Sequence, residues 1–284
     1  MNIAGGIFML TALTINEIKS DKWYINLLER LRGNSVKTEI KSARGVVLRH
    51  ITVDKRCERL DWELLDSIIG AQRNHLICSD SIILPKELGF KRFDDSRFRS
   101  LLSLNLTLKV ISKLKNKLDL SFALFDPEGD FPYFVPEASR YCSDIVAVTD
   151  NPEKYEQAVQ TAADDNGASI QLTQSRDRLM DRTLITSPAQ IREPLPLPGD
   201  SVTLTGKAPT VCLAGLVYFD YHFRMPNMFD RLKPSELSEV YFSAALFTKA
   251  RQHELGSIVP TTCFNFSSSQ TPRSLCEFIA GKGL

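Results

Sequence analysis

The sequence predicts a three-layer α/β protein with a parallel sheet in the middle of the chain and a mixed α/β part before it. Between about Leu118 and Gly206, short apolar runs alternate with helical patterns, as in successive βαβ units. The apolar runs contain few polar residues, which is typical of strands covered on both faces. One helical pattern has Pro152 in its first turn and Gly167 directly after it, the residues that favour helix starts and stops.

Before Leu118, apolar and polar residues predict both helices and strands. The apolar stretch Ile3–Ile15 predicts a buried first strand, because it is shorter than the ~20 residues of a membrane span and no basic segment precedes it. The remaining patterns predict a helix over 16–32 capped by Asn16, strands over 46–53 and 75–85, a helix over 61–72 starting near Asp61, and a long helix over 94–117.

The middle of the chain gives the most regular pattern. It predicts strands over 118–126, 144–150, 168–172, 182–188 and 200–206, and helices over 131–142, 151–167 and 175–181. After it we predict a strand over 211–223 and helices over 234–252, capped by Ser235, and 271–283, capped by Thr271. These elements predict a mixed N-terminal domain over 1–118, a sheet domain over 119–207, and a C-terminal segment over 208–284 that packs back on the core.

Composition narrows the range of functions. The chain has 284 residues and a net charge of +1, from 35 basic and 34 acidic residues. A nucleic-acid-binding protein usually has a basic excess, so nucleic acid is not an expected partner. Six cysteines occur without a Cys-x-x-Cys pair or a histidine at zinc-finger spacing, so we expect no metal site. They instead predict buried free thiols in a reducing compartment. Because the N-terminal apolar stretch is also too short for a membrane span, we expect a cytoplasmic, bacterial-type protein without membrane association.

The polar residues at the ends of the predicted strands are the candidate site. In an open parallel sheet, ligands bind outside the carboxyl ends of the strands. These ends present the following residues: Asp126, Thr149, Asp150, Thr186, Ser187, Gly206 and Lys207.

The run from Phe122 to Lys207 resembles the dinucleotide-binding Rossmann domain of many dehydrogenases. The resemblance lies in the order of a strand, a helix, a strand ending in an acid, a long helix, a short strand, "LMDRTLITSP" and "LPGDSVTL". It implies NAD(P) as the cofactor, with Asp150 in the position of the acid that holds the ribose hydroxyls. The residues that would bind the cofactor are Gly129, Thr149, Asp150, Thr186 and Ser187.

The loop after the first strand of this domain departs from the Rossmann pattern. That family has Gly-x-Gly-x-x-Gly there, whereas this chain reads "FDPEGDFPYF" and keeps only Gly129. Three acids, Asp126, Glu128 and Asp130, would repel a pyrophosphate by ~1 kcal/mol or more for each close pair. The resemblance is therefore to a degenerate Rossmann-like domain in which conventional NAD(P) binding is not expected.

A second resemblance uses the same acids. "FALFDPEGDF" and "IVAVTDN" are similar to the first two motifs of haloacid-dehalogenase-like phosphatases, which use Mg²⁺. In that family's pattern the second acid is Asp, where this chain has Glu128. The resemblance implies a nucleophile, an acid/base, a phosphate contact and a charge partner, in that order at Asp126, Glu128, Thr149 and Lys207.

A structural role is the third interpretation of these residues. Asp-Pro-Glu-Gly favours a turn by itself, and Asp150 before Asn151-Pro152 is a candidate helix cap. Thr186 and Ser187 before Pro188 are candidate turn residues in the same way.

The functional hypothesis from the sequence is a ligand-sensing or interaction module with a degenerate Rossmann-like domain. The alternative is an enzyme, dehydrogenase-like or Mg-dependent phosphatase-like, that binds a nucleotide or phosphorylated small molecule through Asp126, Asp150 and Lys207. A small-molecule ligand and a second copy of the chain are the partners left open, and the sequence does not decide whether the protein is catalytic.

Overall fold

The computed structural model describes residues 8–18, 33–57, 59–114, 120–249 and 255–281. The chain divides into two compact units, one from Met1–Asp95 and Met225–Gln252, the other from Ser96–Arg224 and His253–Leu284. The predicted domain boundaries near residues 118 and 207 stay predictions. Most of the predicted helix over 16–32 lies outside the described residues.

The first unit contains a four-stranded mixed sheet. Its strands are β1 (Phe8–Glu17), β2 (Ser35–Ala43), β3 (Val46–Lys55) and β4 (Ile77–Cys78), in the order β2-β3-β1-β4. Strands β2 and β3 form a hairpin whose turn residues Arg44 and Gly45 both have positive φ, as tight hairpins require. Two α-helices lie among the described residues of this unit: α1 (Trp62–Ile69), which begins at its N-cap Asp61, and α5 (Glu239–Lys249), which packs on β1.

Some predictions for the first unit are wrong. Asn16 lies inside β1, where its side-chain amide donates to Asp54 at 3.4 Å, and not at the start of a helix. The predicted strand over 75–85 is only two residues long, because Ser79 and Ser81 turn the chain with their hydroxyl groups directly after it. Strand β2 is missed by the sequence reasoning because it is an edge strand whose residues 37–40 are all exposed, so no buried face marks it.

The second unit contains a six-stranded parallel sheet. Its strands are β5 (Phe122–Phe125), β6 (Asp144–Val148), β7 (Ser169–Thr173), β8 (Leu184–Ser187), β9 (Val202–Thr205) and β10 (Leu216–Tyr218). All neighbouring pairs are parallel, and the order across the sheet is β7-β6-β5-β8-β9-β10. Counted from β5, this is the order 3-2-1-4-5-6 of the Rossmann fold. The predicted fold class, an α/β Rossmann-like parallel sheet, is confirmed.

The two faces of the sheet are covered differently. One face is covered by helices α2 (Ser96–Lys113), α3 (Phe134–Ser139) and α4 (Glu156–Asn166). On this face the Phe122 ring contacts that of Phe134, and the hydroxyls of Thr107 and Thr186 form a hydrogen bond. The other face packs against irregular chain that includes a single 3₁₀ turn, Arg176–Leu179, and buries Leu179, Ile191, Leu195 and Leu197. The predicted helix over 175–181 is therefore a 3₁₀ turn.

The end of the chain adds short elements to the second unit. The predicted strand over 211–223 is divided into β10, which extends the sheet, and β11 (Asp220–His222). Strand β11 pairs with β12 (Thr262–Phe264), which pairs with β13 (Ser269–Gln270). Helix α6 (Pro272–Ala280) begins at Thr271, which forms a capping box with Ser274, as predicted. The predicted Ser235 cap is wrong, because α5 begins at Glu239 and Ser238 accepts a backbone N–H of its first turn.

All six cysteines are free thiols, but they are not all buried. Cys78, Cys142 and Cys263 are buried, and burial raises the pKa of Cys142 to about 11 and that of Cys263 to about 12. Cys212 is exposed, so the prediction of buried thiols is wrong at that position. Among the described helices, none has the length and apolar character that crossing a membrane requires.

Candidate functional site at the carboxyl edge of the sheet

Asp126 follows β5 and is an internal hydrogen-bond acceptor. Its side chain is buried, and Oδ2 accepts the backbone N–H of Phe131 at 2.8 Å and the Tyr155 hydroxyl at 2.6 Å. The other carboxylate oxygen, Oδ1, has no hydrogen-bond partner among the described residues. Burial, and next the negative charge of Asp126, raises the pKa of Tyr155, so that residue remains a hydroxyl donor.

The loop after β5 is closed by its own residues. In a Rossmann phosphate site, backbone N–H groups of this loop and the following helix face the anion. Here Phe131 donates to Asp126, and Gly129 donates its N–H to the Asp126 carbonyl. Gly129 has φ +68°, and a Cβ there would lie 2.9 Å from Cδ of Lys154. The loop therefore does not fit a dinucleotide pyrophosphate in the conventional position.

Asp150 follows β6 and is about half exposed. Arg176, in the turn after β7, donates Nη1 to Asp150 Oδ1 at 2.5 Å and Nη2 to Oδ2 at 2.9 Å. The same guanidinium donates to Glu193 at 3.3 Å and lies 5.8 Å from the ring centroid of Phe125. We call Asp150, Arg176 and Glu193 the edge cluster.

Hydrogen bonding explains the charge state of this cluster. The bond from Arg176 lowers the pKa of Asp150, and the same bond raises the pKa of Arg176. Both groups are therefore ionised around neutral pH. Sequence reasoning missed Arg176, and its only signal was a basic residue in the turn that follows the third strand of the sheet.

The turn after β6 is held by Thr149 rather than by Asp150. Thr149 is fully buried, accepts the Asn151 N–H at 3.2 Å, and donates to the Pro127 carbonyl at 3.4 Å. Asn151 donates its side-chain amide to the same carbonyl at 2.9 Å. The cap predicted for Asp150 is wrong, because its carboxylate points to Arg176.

The ends of β8 and β9 are packed closely against helix α2. Thr186 is buried with its hydroxyl 2.6 Å from that of Thr107, and the buried Ser187 donates to the Ala189 carbonyl at 3.2 Å. A Cβ on Gly206 would lie 2.0 Å from the Pro188 carbonyl oxygen, so any larger residue would force β9 away. These ends present little polar surface to a ligand.

The structure does not bring all the sequence candidates together. Strands β5 and β8 lie between β6 and β9, which separates the ends bearing Asp150 and Lys207 by roughly 14 Å at ordinary strand spacing. Glu128 is exposed on the turn, whereas Asp126 is only 1% exposed and offers solvent no carboxylate for nucleophilic attack. Within the described ranges, no three His, Cys, Asp or Glu side chains are grouped as metal ligands.

Solved structures that are similar to this chain include the following three, all with low sequence identity. The Thermococcus litoralis Δ¹-pyrroline-2-carboxylate reductase, solved with NADH and L-proline, has a TM-score of 0.27 and 14% identity over 39% of this chain. This chain covers only 36% of the reductase. Pyrococcus furiosus ornithine carbamoyltransferase has a TM-score of 0.31 and 11% identity, covering 89% of this chain and 86% of that chain.

The third structure is L-tryptophan dehydrogenase from Nostoc punctiforme, with a TM-score of 0.28 and 11% identity. The match covers 98% of this chain and 88% of that one. No protein-family model and no curated protein matches the sequence. Because the TM-scores are this low, the site has to be judged from its own geometry.

Proposed function

We propose that this protein binds a nucleotide or another phosphorylated small molecule at the carboxyl edge of its parallel sheet, with the phosphate at Arg176. The observation that supports this most directly is the edge cluster. In it, Asp150 after strand β6 holds the accessible guanidinium of Arg176. In a sheet of order 3-2-1-4-5-6, that edge is where ligands bind.

The chemistry of Arg176 suits a phosphate. A guanidinium binds phosphate oxygens through two parallel N–H bonds, and its charge persists at every physiological pH. Asp150 makes two hydrogen bonds to it, whereas Glu193 makes longer contacts of 3.3 Å. A phosphate would replace Glu193 more readily than Asp150, which would continue to orient the guanidinium.

The proposed pose differs from that of a conventional Rossmann cofactor. The loop after β5 takes no part in it, because Asp126 accepts the N–H that an anion would otherwise use. The ligand would instead lie over the ends of β6 and β7, with remaining lone pairs of Asp150 available to a hydroxyl group. This pose requires one phosphate and does not require a pyrophosphate.

Isothermal titration with AMP, ribose 5-phosphate, NADH and NADPH tests the proposal. We expect at least one of these compounds to bind. Arg176→Ala should raise its Kd by about tenfold or more, because a charge-assisted hydrogen bond is lost. Arg273→Ala is the matched control, because Arg273 forms an exposed ion pair with Glu277 on α6.

The outcomes separate the two hypotheses drawn from the sequence. Equal affinity in Arg176→Ala and Arg273→Ala would show that the edge cluster is not the binding site. If none of the four compounds binds folded protein, an interaction module that takes no phosphorylated ligand becomes the better interpretation. Turnover of a bound compound, lost in Arg176→Ala, would identify an enzyme.

A further inference from the structure

A groove on the helical face of the second unit has the dimensions of a ligand site. It encloses about 570 Å³ between α2, the segment around α3, and the chain at 255–259. Small-molecule sites typically measure about 300–1,000 Å³. The residues that matter for its chemistry are Asn105, Lys109, Tyr133, Tyr141, Leu255 and Val259. We call this the α2–α3 groove.

The walls of the groove are fixed by helix geometry and by one buried amide. Residues 105, 108, 109 and 112 form one stripe of α2, and residues 133, 137 and 141 have the same helical spacing on the facing segment. Asn105 is 1% exposed and donates to the Ile258 carbonyl at 2.7 Å, while its carbonyl accepts the Gly256 N–H at 2.7 Å. The segment 255–259, which forms the third side of the groove, is therefore held at Gly256 and Ile258 by a side chain that also lines the groove.

The groove combines an apolar body with one available positive charge. Tyr133 is 43% exposed, so part of its ring can stack with a ligand, and Leu255 and Val259 are half-buried opposite. Glu137 also lines the groove, but its carboxylate pairs with Arg140 at 2.9 Å. Lys109 is exposed and belongs to none of the ion pairs among the described residues.

We propose that the α2–α3 groove binds an organic anion with an aromatic or aliphatic body, with the anionic group at Lys109 and the body between Tyr133 and Tyr141. This site is separate from the edge cluster and does not depend on the function proposed for it. A ligand there would contact α2, whose other end packs on Pro188 beside β8.

Titration of the ¹⁵N-labelled full chain with indole-3-acetate and with octanoate, followed by two-dimensional NMR, tests the proposal. We expect at least one anion to shift the amide signals of residues 105–112, 133–141 and 255–259. Lys109→Met should raise the Kd of the bound anion by about tenfold, equivalent to about 1.4 kcal/mol. Lys113→Met is the matched control, because Lys113 ends the same helix outside the groove.

A neutral ligand and a second variant test the roles of the charge and of the groove separately. Neutral indole-3-acetamide should bind more weakly than the acetate, and Ser112→Trp, at an exposed helical position lining the groove, should block binding if Lys109→Met does not fold. Failure of both anions to bind, shifts confined to other residues, or equal affinity in Lys109→Met and wild type would overturn the proposal. Arg176→Ala should bind the anion normally, so this result is independent of the edge cluster.

Discussion

An aspartate follows each of two neighbouring strands of the parallel sheet, and the two residues differ in what they bind. Asp126 is buried and accepts bonds from Phe131 and Tyr155, so it closes the loop in which it lies. Asp150 is half exposed and holds Arg176 at the surface. The same residue type at the same edge is structural on one strand and available to a ligand on the next, because burial and partners differ.

The largest expected effect is on stability at the buried acid. Asp126→Ala removes the acceptor of the buried Tyr155 hydroxyl and of the part-buried Phe131 N–H, and we expect it to lower the free energy of unfolding by about 2–4 kcal/mol. Urea denaturation of the variant measures this loss. Glu128→Ala, on the exposed part of the same turn, is the control and should cost less than about 0.5 kcal/mol. Similar losses in the two variants would contradict a structural role for Asp126.

Strand β6 has an aspartate–arginine pair at each end. At its amino end, Asp144 accepts from Arg182 at 2.6 Å, and the Arg182 side chain is only 9% exposed, against 28% for Arg176. We expect Asp144→Asn to cost about 1–2 kcal/mol and Asp150→Asn less than about 1 kcal/mol, because the less exposed arginine regains less hydration.

Of these two variants, only Asp150→Asn should change the Kd of a ligand. In the titrations proposed above, Asp150→Asn should weaken a phosphorylated ligand and Asp144→Asn should leave its Kd unchanged, because ligands bind at the carboxyl edge. Chemical denaturation and calorimetry of the two purified variants give both measurements. Weakened binding in Asp144→Asn would place the ligand elsewhere.

The smallest expected effect is on the pH dependence of stability. Because Arg176 lowers the folded-state pKa of Asp150, the pair stabilises the fold fully above the ordinary carboxyl pKa of about 3.9. That contribution is lost as the pH falls from there through the lowered value. The stability difference between wild type and Asp150→Asn should be constant near neutrality and shrink below about pH 4. A difference that grows on acidification would contradict the assignment.

Much of the fold could be predicted from the sequence because its signals are local. Strands such as Asp144–Val148 consist almost entirely of apolar residues, and α4 ends directly before Gly167, which has a left-handed φ of +62°. The misses occur where no local signal exists. Strand β2 has no buried face, and the cover on the second face of the sheet is irregular chain rather than helix.

The alternation of strands and helices, and with it the parallel sheet and the acids at its carboxyl edge, follows from local residue patterns. Which of the two acids is buried and which is available depends on how distant parts of the chain pack. Asp126 meets a tyrosine 29 residues away, and Asp150 meets an arginine 26 residues away. Such pairings depend on the strand order and on how the loops pack, and neither property is encoded in the residues adjacent to the acids.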